Sequence, residues 1–232
     1  MIITVEHLGP ETLRLAVIRA AGLDLTVRPE KFDDRLDQLL LERGQGLSEV
    51  EDEWRQSVRD ILRNGRYKPT GRGKPASEYL LRAAADDSFP RVNAAVDICN
   101  FISLYSLLPV SIWDLDKAHT MRYVVRLGDE NESYVFNSAG QTIDLADLVV
   151  GAAVTDEDPG GIPIVNPVKD SMPTKTSHGT TQVAALVYSR IEDGPTGSLE
   201  SICDFFEDLL AACGQDAEAS AAVVSPGNTV RI

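Results

Sequence analysis

The feature that most constrains the fold is a change of pattern near residue 108. From there to residue 190 the chain consists mostly of short runs rich in Val and Ile, separated by Asp, Asn and Gly, which is typical of β-strands. The predicted strands are 110–113, 121–127, 133–136, 148–155, 162–165 and 183–189. Because helices precede this region and do not alternate with its strands, the pattern favours an α+β fold over a wound parallel sheet.

The flanking segments have mixed patterns. Leu13, Leu15 and Val17 alternate with other residues as in a half-buried strand. Strands are predicted at 2–5 and 13–18, joined by a turn at Gly9-Pro10, and a terminal hairpin is predicted at 223–230. Helices are predicted at 29–42, 49–64, 91–104 and 199–210, and a further short helix begins at Ser77. We expect a layered, β-sandwich-like core flanked by helices. Its parts are 1–65, 66–190 and an acidic segment 191–232, together forming one compact unit.

The charge is unevenly distributed. The net charge of −14 disfavours contact with nucleic acid, and residues 191–232, with eight acids and one base, supply half of the excess. Between 54 and 74 the balance reverses, with Asp60 the only acid. The basic residues of this stripe are Arg55, Arg59, Arg63, Arg66, Lys68, Arg72 and Lys74. We therefore expect this basic stripe to form an RNA-binding surface, although a row of exposed arginines on a helix can also serve solubility alone.

Several classes of protein are disfavoured. The sequence has no nucleophile elbow, phosphate-binding loop, HExxH or GxGxxG motif. Three cysteines without metal spacing and three scattered histidines, His7, His119 and His178, predict neither a disulfide framework nor a metal site. No signal peptide or membrane anchor is visible, so we expect a cytoplasmic protein without cofactor or membrane partner.

One passage resembles a known family. The stretch Arg91–Asn100 (RVNAAVDICN), followed by Leu108–Lys117 (LPVSIWDLDK), is similar to the B3/B4 editing domain of the β subunit of bacterial phenylalanyl-tRNA synthetase. Weaker similarities to its free-standing relatives are Lys68-Pro69, Ser77–Arg82, Lys169-Asp170-Ser171 and Thr180-Thr181, so the resemblance covers about 66–190. None of the synthetase's other domains is visible. The resemblance therefore implies a B3/B4-type fold and a protein that cannot itself aminoacylate tRNA.

The resemblance also implies a site. In the synthetase this domain hydrolyses tyrosine wrongly attached to phenylalanine tRNA, using a helix Asn, a His and a Glu. Asn100 matches the Asn, Ser111 stands at the position of the His, and Leu186 stands near that of the Glu. Asn100 and Ser111 are thus the implied catalytic residues, orienting substrate or water. The implied pocket residues are Cys99, Trp113, Asp114, Asp170, Ser171, His178, Thr180 and Thr181.

Structural roles compete with these assignments. The Asp114 carboxylate can accept hydrogen bonds from loop amides, Trp113 can be a core residue, and Cys99 can be a small buried apolar residue. Asn100 could equally brace a helix end, and Ser111 could be an ordinary strand residue. If the chain is an editing hydrolase, we expect a cleft between Asn100, the strand of Ser111 and residues 169–181, with few ionisable groups in its walls.

Three functions remain open at this point. The first is a trans-acting deacylase that hydrolyses mischarged aminoacyl-tRNA. The second is a non-catalytic module that binds tRNA or another RNA, which the replaced His and Glu positions allow. The third is a binder of a small molecule such as a free amino acid, which the overall acidity favours. DNA is not an expected partner in any of them.

Overall fold

The structure, a computed structural model, describes residues 1–6 and 13–232. The turn predicted at Gly9-Pro10 and His7 lie outside the described residues. The strands are β1 (Ile2–Val5), β2 (Leu13–Ala21), β3 (Val110–Asp114), β4 (Arg122–Leu127), β5 (Ser133–Val135), β6 (Thr142–Asp144), β7 (Val149–Ala153), β8 (Ile162–Val165), β9 (Gln182–Arg190), β10 (Glu218–Val224) and β11 (Thr229–Arg231). The α-helices are α1 (Phe32–Gly44), α2 (Glu49–Val58), α3 (Ala76–Ala85), α4 (Ala94–Ser106), α5 (Leu115–Ala118) and α6 (Leu199–Ala211).

A four-stranded antiparallel sheet has the order β10-β2-β9-β3. Its central strand β9 reads QVAALVYSR, a nearly unbroken apolar run that is buried from Val183 to Ser189. Such a run, without alternation of apolar and polar residues, indicates that both faces of the strand are covered. Within residues 1–6 and 13–232, strand β3 pairs with β9 alone and therefore forms an edge of this sheet.

A five-stranded sheet, ordered β11-β1-β4-β7-β8, covers one face of the first. Strands β1 and β4 pair in parallel, and the other neighbours are antiparallel. The rings of Trp113 in β3 and Tyr123 in β4 meet edge to face, with centroids 5.2 Å apart. Gly151 in β7 lies so close to β9 that a Cβ there would be 3.3 Å from Leu186 Cδ1. The two sheets thus share one apolar interior.

Helix α4 packs on β3 and helix α6 on β2 and β10, on the side of the four-stranded sheet away from the other sheet. The Asn93 side chain caps α4 by accepting from Val96 N at 3.0 Å. The helix predicted over 91–104 begins only at Ala94. Val92 precedes this cap and is 58% exposed, whereas Ile98 and Ile102 are fully buried.

The α+β class and the layered β core flanked by helices are confirmed. Two local predictions are wrong. The helix predicted over 49–64 ends at Val58 and continues as a 3-10 turn, Arg59–Leu62. The strands of the predicted terminal hairpin do not pair with each other, because β10 joins β2 and β11 joins β1 in the other sheet. Among the described residues, no helix has the length and apolar character needed to cross a membrane.

Candidate functional site

The segment 164–176 covers the free edge of β3. The Ile112 N–H donates to Asp170 Oδ2 at 3.2 Å, and the Asp114 N–H donates to the Thr174 carbonyl at 2.8 Å. Ser171 N–H bonds back to the Ile164 carbonyl at 2.9 Å, which folds the segment on itself. An edge strand has unpaired backbone groups, and here they position an aspartate.

A cavity of about 390 Å³ lies between α4, β3 and this segment. We call it the α4 cavity. Its walls are mainly apolar, with a few polar groups, which is usual for sites that bind small molecules. The lining residues are Ala76, Val92, Val96, Cys99, Asn100, Val110, Ile112, Asn166, Val168, Lys169, Asp170, Lys175 and Thr176.

Asp170 is a buried carboxyl in the wall of this cavity, and its pKa is strongly shifted. Its Oδ2 accepts from Ile112 N–H, but its buried Oδ1 has no hydrogen-bond partner among the described residues. Burial raises the pKa of Asp170 to about 7, against the opposing effect of the Ile112 N–H. An acid of this kind can take up or release a proton near neutral pH, which is common at functional sites and rare elsewhere.

A hydrogen-bond network fixes the segment that carries Asp170, on the side away from the cavity. The Ser111 hydroxyl donates to the Asn166 carbonyl at 3.0 Å and accepts from the Tyr188 hydroxyl at 3.3 Å. Asn166 Oδ1 accepts from the N–H groups of Val168 and Lys169 at 2.7 and 2.8 Å. Ser111 is fully buried on the face of β3 that packs against the other sheet, whereas Val110 and Ile112 line the cavity. Ser111 therefore contacts the support of Asp170 rather than the cavity.

Three of the residues implied by the sequence meet in the α4 cavity, namely Cys99, Asn100 and Asp170. Asn100 is partly buried, and its side-chain amide has no hydrogen-bond partner in the part of the chain that the structure describes, so it can bind a ligand. Burial and the nearby Asp170 raise the pKa of Cys99 well above its usual value. The Cys99 group is therefore a thiol and a poor nucleophile.

The other implied pocket residues lie elsewhere. Trp113 is buried between the sheets, as is Leu186. Asp114 caps α5, accepting from Asp116 N, Lys117 N and the Thr180 hydroxyl. Ser171 is buried and its hydroxyl bonds that of Thr174, whereas His178 and Thr181 are exposed. None of these three residues lines the α4 cavity.

Sequence reasoning missed four polar residues of the cavity: Asn166, Lys169, Lys175 and Thr176. Asn166-Pro167 is a turn signal, and Lys169 directly precedes Asp170, so both could have been found from the sequence. The cavity walls hold an aspartate and two lysines, which is more ionisable groups than we expected. Lys175 is near enough to Asp170 to lower the pKa of that carboxyl.

Most of the basic stripe is neutralised within the protein. Arg55 and Arg59 both bond the Glu78 carboxylate, with Arg55 Nη1 at 2.9 Å and Arg59 Nη2 at 2.6 Å, and Lys74 Nζ lies 3.7 Å away. Arg63 pairs with Asp60, and Arg66 pairs with Asp147 and Glu130. Only Lys68 and Arg72 of the stripe have no carboxylate within 4.0 Å among the described residues.

Within residues 1–6 and 13–232, no three or more His, Cys, Asp or Glu side chains are arranged to hold a metal ion. A search of curated proteins finds no match to the chain. The family described as the B3/4 domain matches residues 69–189, which is more than half of the chain and includes every residue that lines the α4 cavity. The chain therefore belongs to the B3/4 domain family.

Proposed function

We propose that this protein is a hydrolase that removes amino acids from mischarged tRNA, acting in trans through the α4 cavity. Membership of the B3/4 domain family is consistent with a function associated with RNA or tRNA. The observation that carries the proposal is Asp170, which lines a largely apolar cavity, has a pKa of about 7 and has one buried oxygen without a partner among the described residues. A group with this pKa is close to ideal as a general base at neutral pH.

The reaction is hydrolysis of the ester that joins an amino acid to the terminal ribose. The Asp170 carboxylate takes a proton from water, and the resulting hydroxide attacks the ester carbonyl carbon. The bond from that carbon to the ribose oxygen breaks, the ribose oxygen receives the proton, and free amino acid and tRNA leave. Asn100, whose side-chain amide has no hydrogen-bond partner in the described part of the chain, orients the carbonyl or the water.

The walls of the cavity indicate the substrate. Val92, Val96, Val110, Ile112 and Val168 provide an apolar surface for a side chain, and a cavity of about 390 Å³ suits one aminoacyl group. We therefore propose that an apolar or aromatic aminoacyl group is preferred. Ser111 is proposed as a positioning residue, because its hydroxyl bonds the Asn166 carbonyl and not the cavity.

The experiment is to incubate the protein with a panel of mischarged tRNAs, including tyrosyl-tRNA for phenylalanine, and to follow loss of the ester. Asp170→Asn should lower the rate constant by a factor on the order of a hundred or more, because it removes the base. Asn100→Ala should lower it by about tenfold, because it removes one orienting hydrogen bond. Asp116→Asn is the matched control, since Asp116 is exposed and outside the cavity, and it should hydrolyse at the wild-type rate.

The same experiment separates the alternatives. If no member of the panel is hydrolysed while tRNA still binds, the protein is a non-catalytic tRNA-binding module. If neither turnover nor tRNA binding is measured, calorimetry with free amino acids tests the small-molecule binder. Hydrolysis that is equal in wild type and Asp170→Asn would show that the cavity is not the catalytic site.

A further inference from the structure

A second concave site adjoins the α4 cavity. It has a volume of about 460 Å³ and lies between the loop that follows α2 and the hairpin formed by β5 and β6. We call it the hairpin groove. Its lining residues are Tyr67, Arg72, Gly73, Phe136, Gln141, Thr142, Ile143, Asp144 and Lys169. Lys169 lines both sites, and Lys175 of the α4 cavity donates to the Phe136 carbonyl at 2.8 Å, so the two are neighbours.

The cations of this region are unusual for the chain. Most of its arginines and lysines pair with a carboxylate, as expected for a protein with a net charge of −14. Arg72, Lys169 and Lys175 have no carboxylate within 4.0 Å in the described part of the chain. Arg72 is close enough to Lys169 to lower the pKa of that amine, together with burial. Two neighbouring cations without an acidic partner form a site for an anion.

Aromatic rings accompany these cations. Lys169 Nζ lies 4.1 Å from the centroid of the Phe136 ring, and the half-buried Tyr67 is fixed by a 3.0 Å hydrogen bond from its hydroxyl to the Gly73 carbonyl. Thr142 and Gln141 add polar groups at the rim. The one acid, Asp144, accepts from Ala146 N–H at 3.0 Å. Cations beside aromatic rings are the usual means of binding single-stranded nucleic acid, through phosphates and stacked bases.

We propose that the hairpin groove binds the unpaired 3′-terminal nucleotides of an RNA. Arg72 and Lys169 contact phosphate, and Phe136 or Tyr67 stacks on a base. The inference rests on the proposed function, because it places the nucleotide next to the cavity that receives the aminoacyl group. It differs from the basic stripe of the sequence, since Arg55 and Arg59 are bound to Glu78 and only Arg72 belongs to both.

The test uses a fluorescent RNA minihelix that ends in an unpaired 3′ CCA and carries no amino acid, so that binding is measured without hydrolysis. Arg72→Glu should weaken binding on the order of tenfold at low salt and lower the salt dependence by about one phosphate contact. Phe136→Ala should also weaken binding on the order of tenfold, through lost stacking. Arg35→Glu is the matched control, because Arg35 is exposed, lies on α1, does not line the groove and has no carboxylate partner among the described residues. It should bind as the wild type does.

The outcomes distinguish this inference from the proposed hydrolase. Binding that Arg72→Glu and Phe136→Ala weaken, in a protein that hydrolyses no ester, would support the groove and overturn the hydrolase. Ester hydrolysis with minihelix affinities equal in Arg72→Glu, Phe136→Ala and Arg35→Glu would overturn the groove and leave the hydrolase standing. A blunt-ended minihelix that binds as tightly as the one with a 3′ overhang would also overturn the groove.

Discussion

At the residue scale, the proposal depends on Asp170, a buried carboxyl that lines the α4 cavity. Asn100, Cys99 and Asp170 were all named from the family resemblance, and all line the α4 cavity. The role that we propose for Asp170 could not be predicted, because it depends on burial and on an oxygen that has no partner among the described residues, and only the fold creates both. Strand alternation predicts that Ser111 lies on the opposite face of β3 from Val110 and Ile112. It does not predict which of the two faces lines the cavity.

Asp170 should make stability depend on pH. Its folded pKa of about 7 is above the ordinary aspartate value of 3.8, so between these pH values the folded state keeps a proton that the unfolded state has lost. Stability due to this group is present below pH 3.8 and is lost as pH rises toward 7, by up to about 1.4 kcal/mol for each pH unit. Asp170→Asn should remove this loss. Urea unfolding of both proteins at pH 5 and 8 measures it, and an equal pH dependence in the two would contradict the assignment.

At the element scale, the basic stripe shows why a pattern of charges does not define a surface. The spacing of Arg55, Arg59 and Arg63 predicted one row on one helix, but the helix ends at Val58. Arg55 and Arg59 turn instead toward α3, where the Glu78 side chain, only 8% exposed, accepts from both. Glu78 is 23 residues from Arg55 in the chain, so this partner could be identified only from the three-dimensional fold.

Glu78 should therefore be important for stability. Glu78→Ala leaves the partly buried Arg59 guanidinium without a carboxylate and leaves Arg55 with Asp52 alone, and we expect a loss of roughly 2–4 kcal/mol in the free energy of unfolding at pH 7. Asp86→Ala is the control, because it removes an exposed pair with Arg82 at the end of the same helix, worth less than about 1 kcal/mol. Urea denaturation gives both values. Equal small losses would mean that the ion pairs of Glu78 with Arg55 and Arg59 stabilise the protein no more than an exposed ion pair does.

At the scale of the whole molecule, the sheets extend beyond the segment that matches the family. The match covers residues 69–189, but β9 pairs with β2 along nine residues, and β4 pairs with β1. The sequence predicted most of these strands separately. It could not predict which sheet each strand joins, because the parallel pairing of β1 with β4 and the separation of β10 from β11 depend on contacts far apart in the chain.

We expect that a fragment comprising residues 66–190 does not fold on its own. Without β1 and β2, strands β4 and β9 each lose a neighbour, and the apolar residues of β9 lose part of their cover. The full chain should unfold in one cooperative urea transition, whereas the fragment should show no cooperative transition. A fragment as stable as the full chain would establish 66–190 as an independent domain.

The most direct test of the account is the pH dependence of ester hydrolysis, because the account assigns the reaction to the ionised form of Asp170. With the best substrate of the tRNA panel, kcat/KM should rise about tenfold for each pH unit below 7 and level off above it, after correction for spontaneous hydrolysis. Asp170→Asn should be slow at every pH and lack this rise. A wild-type rate without an inflection near pH 7, or an Asp170→Asn variant with the wild-type profile, would contradict the account.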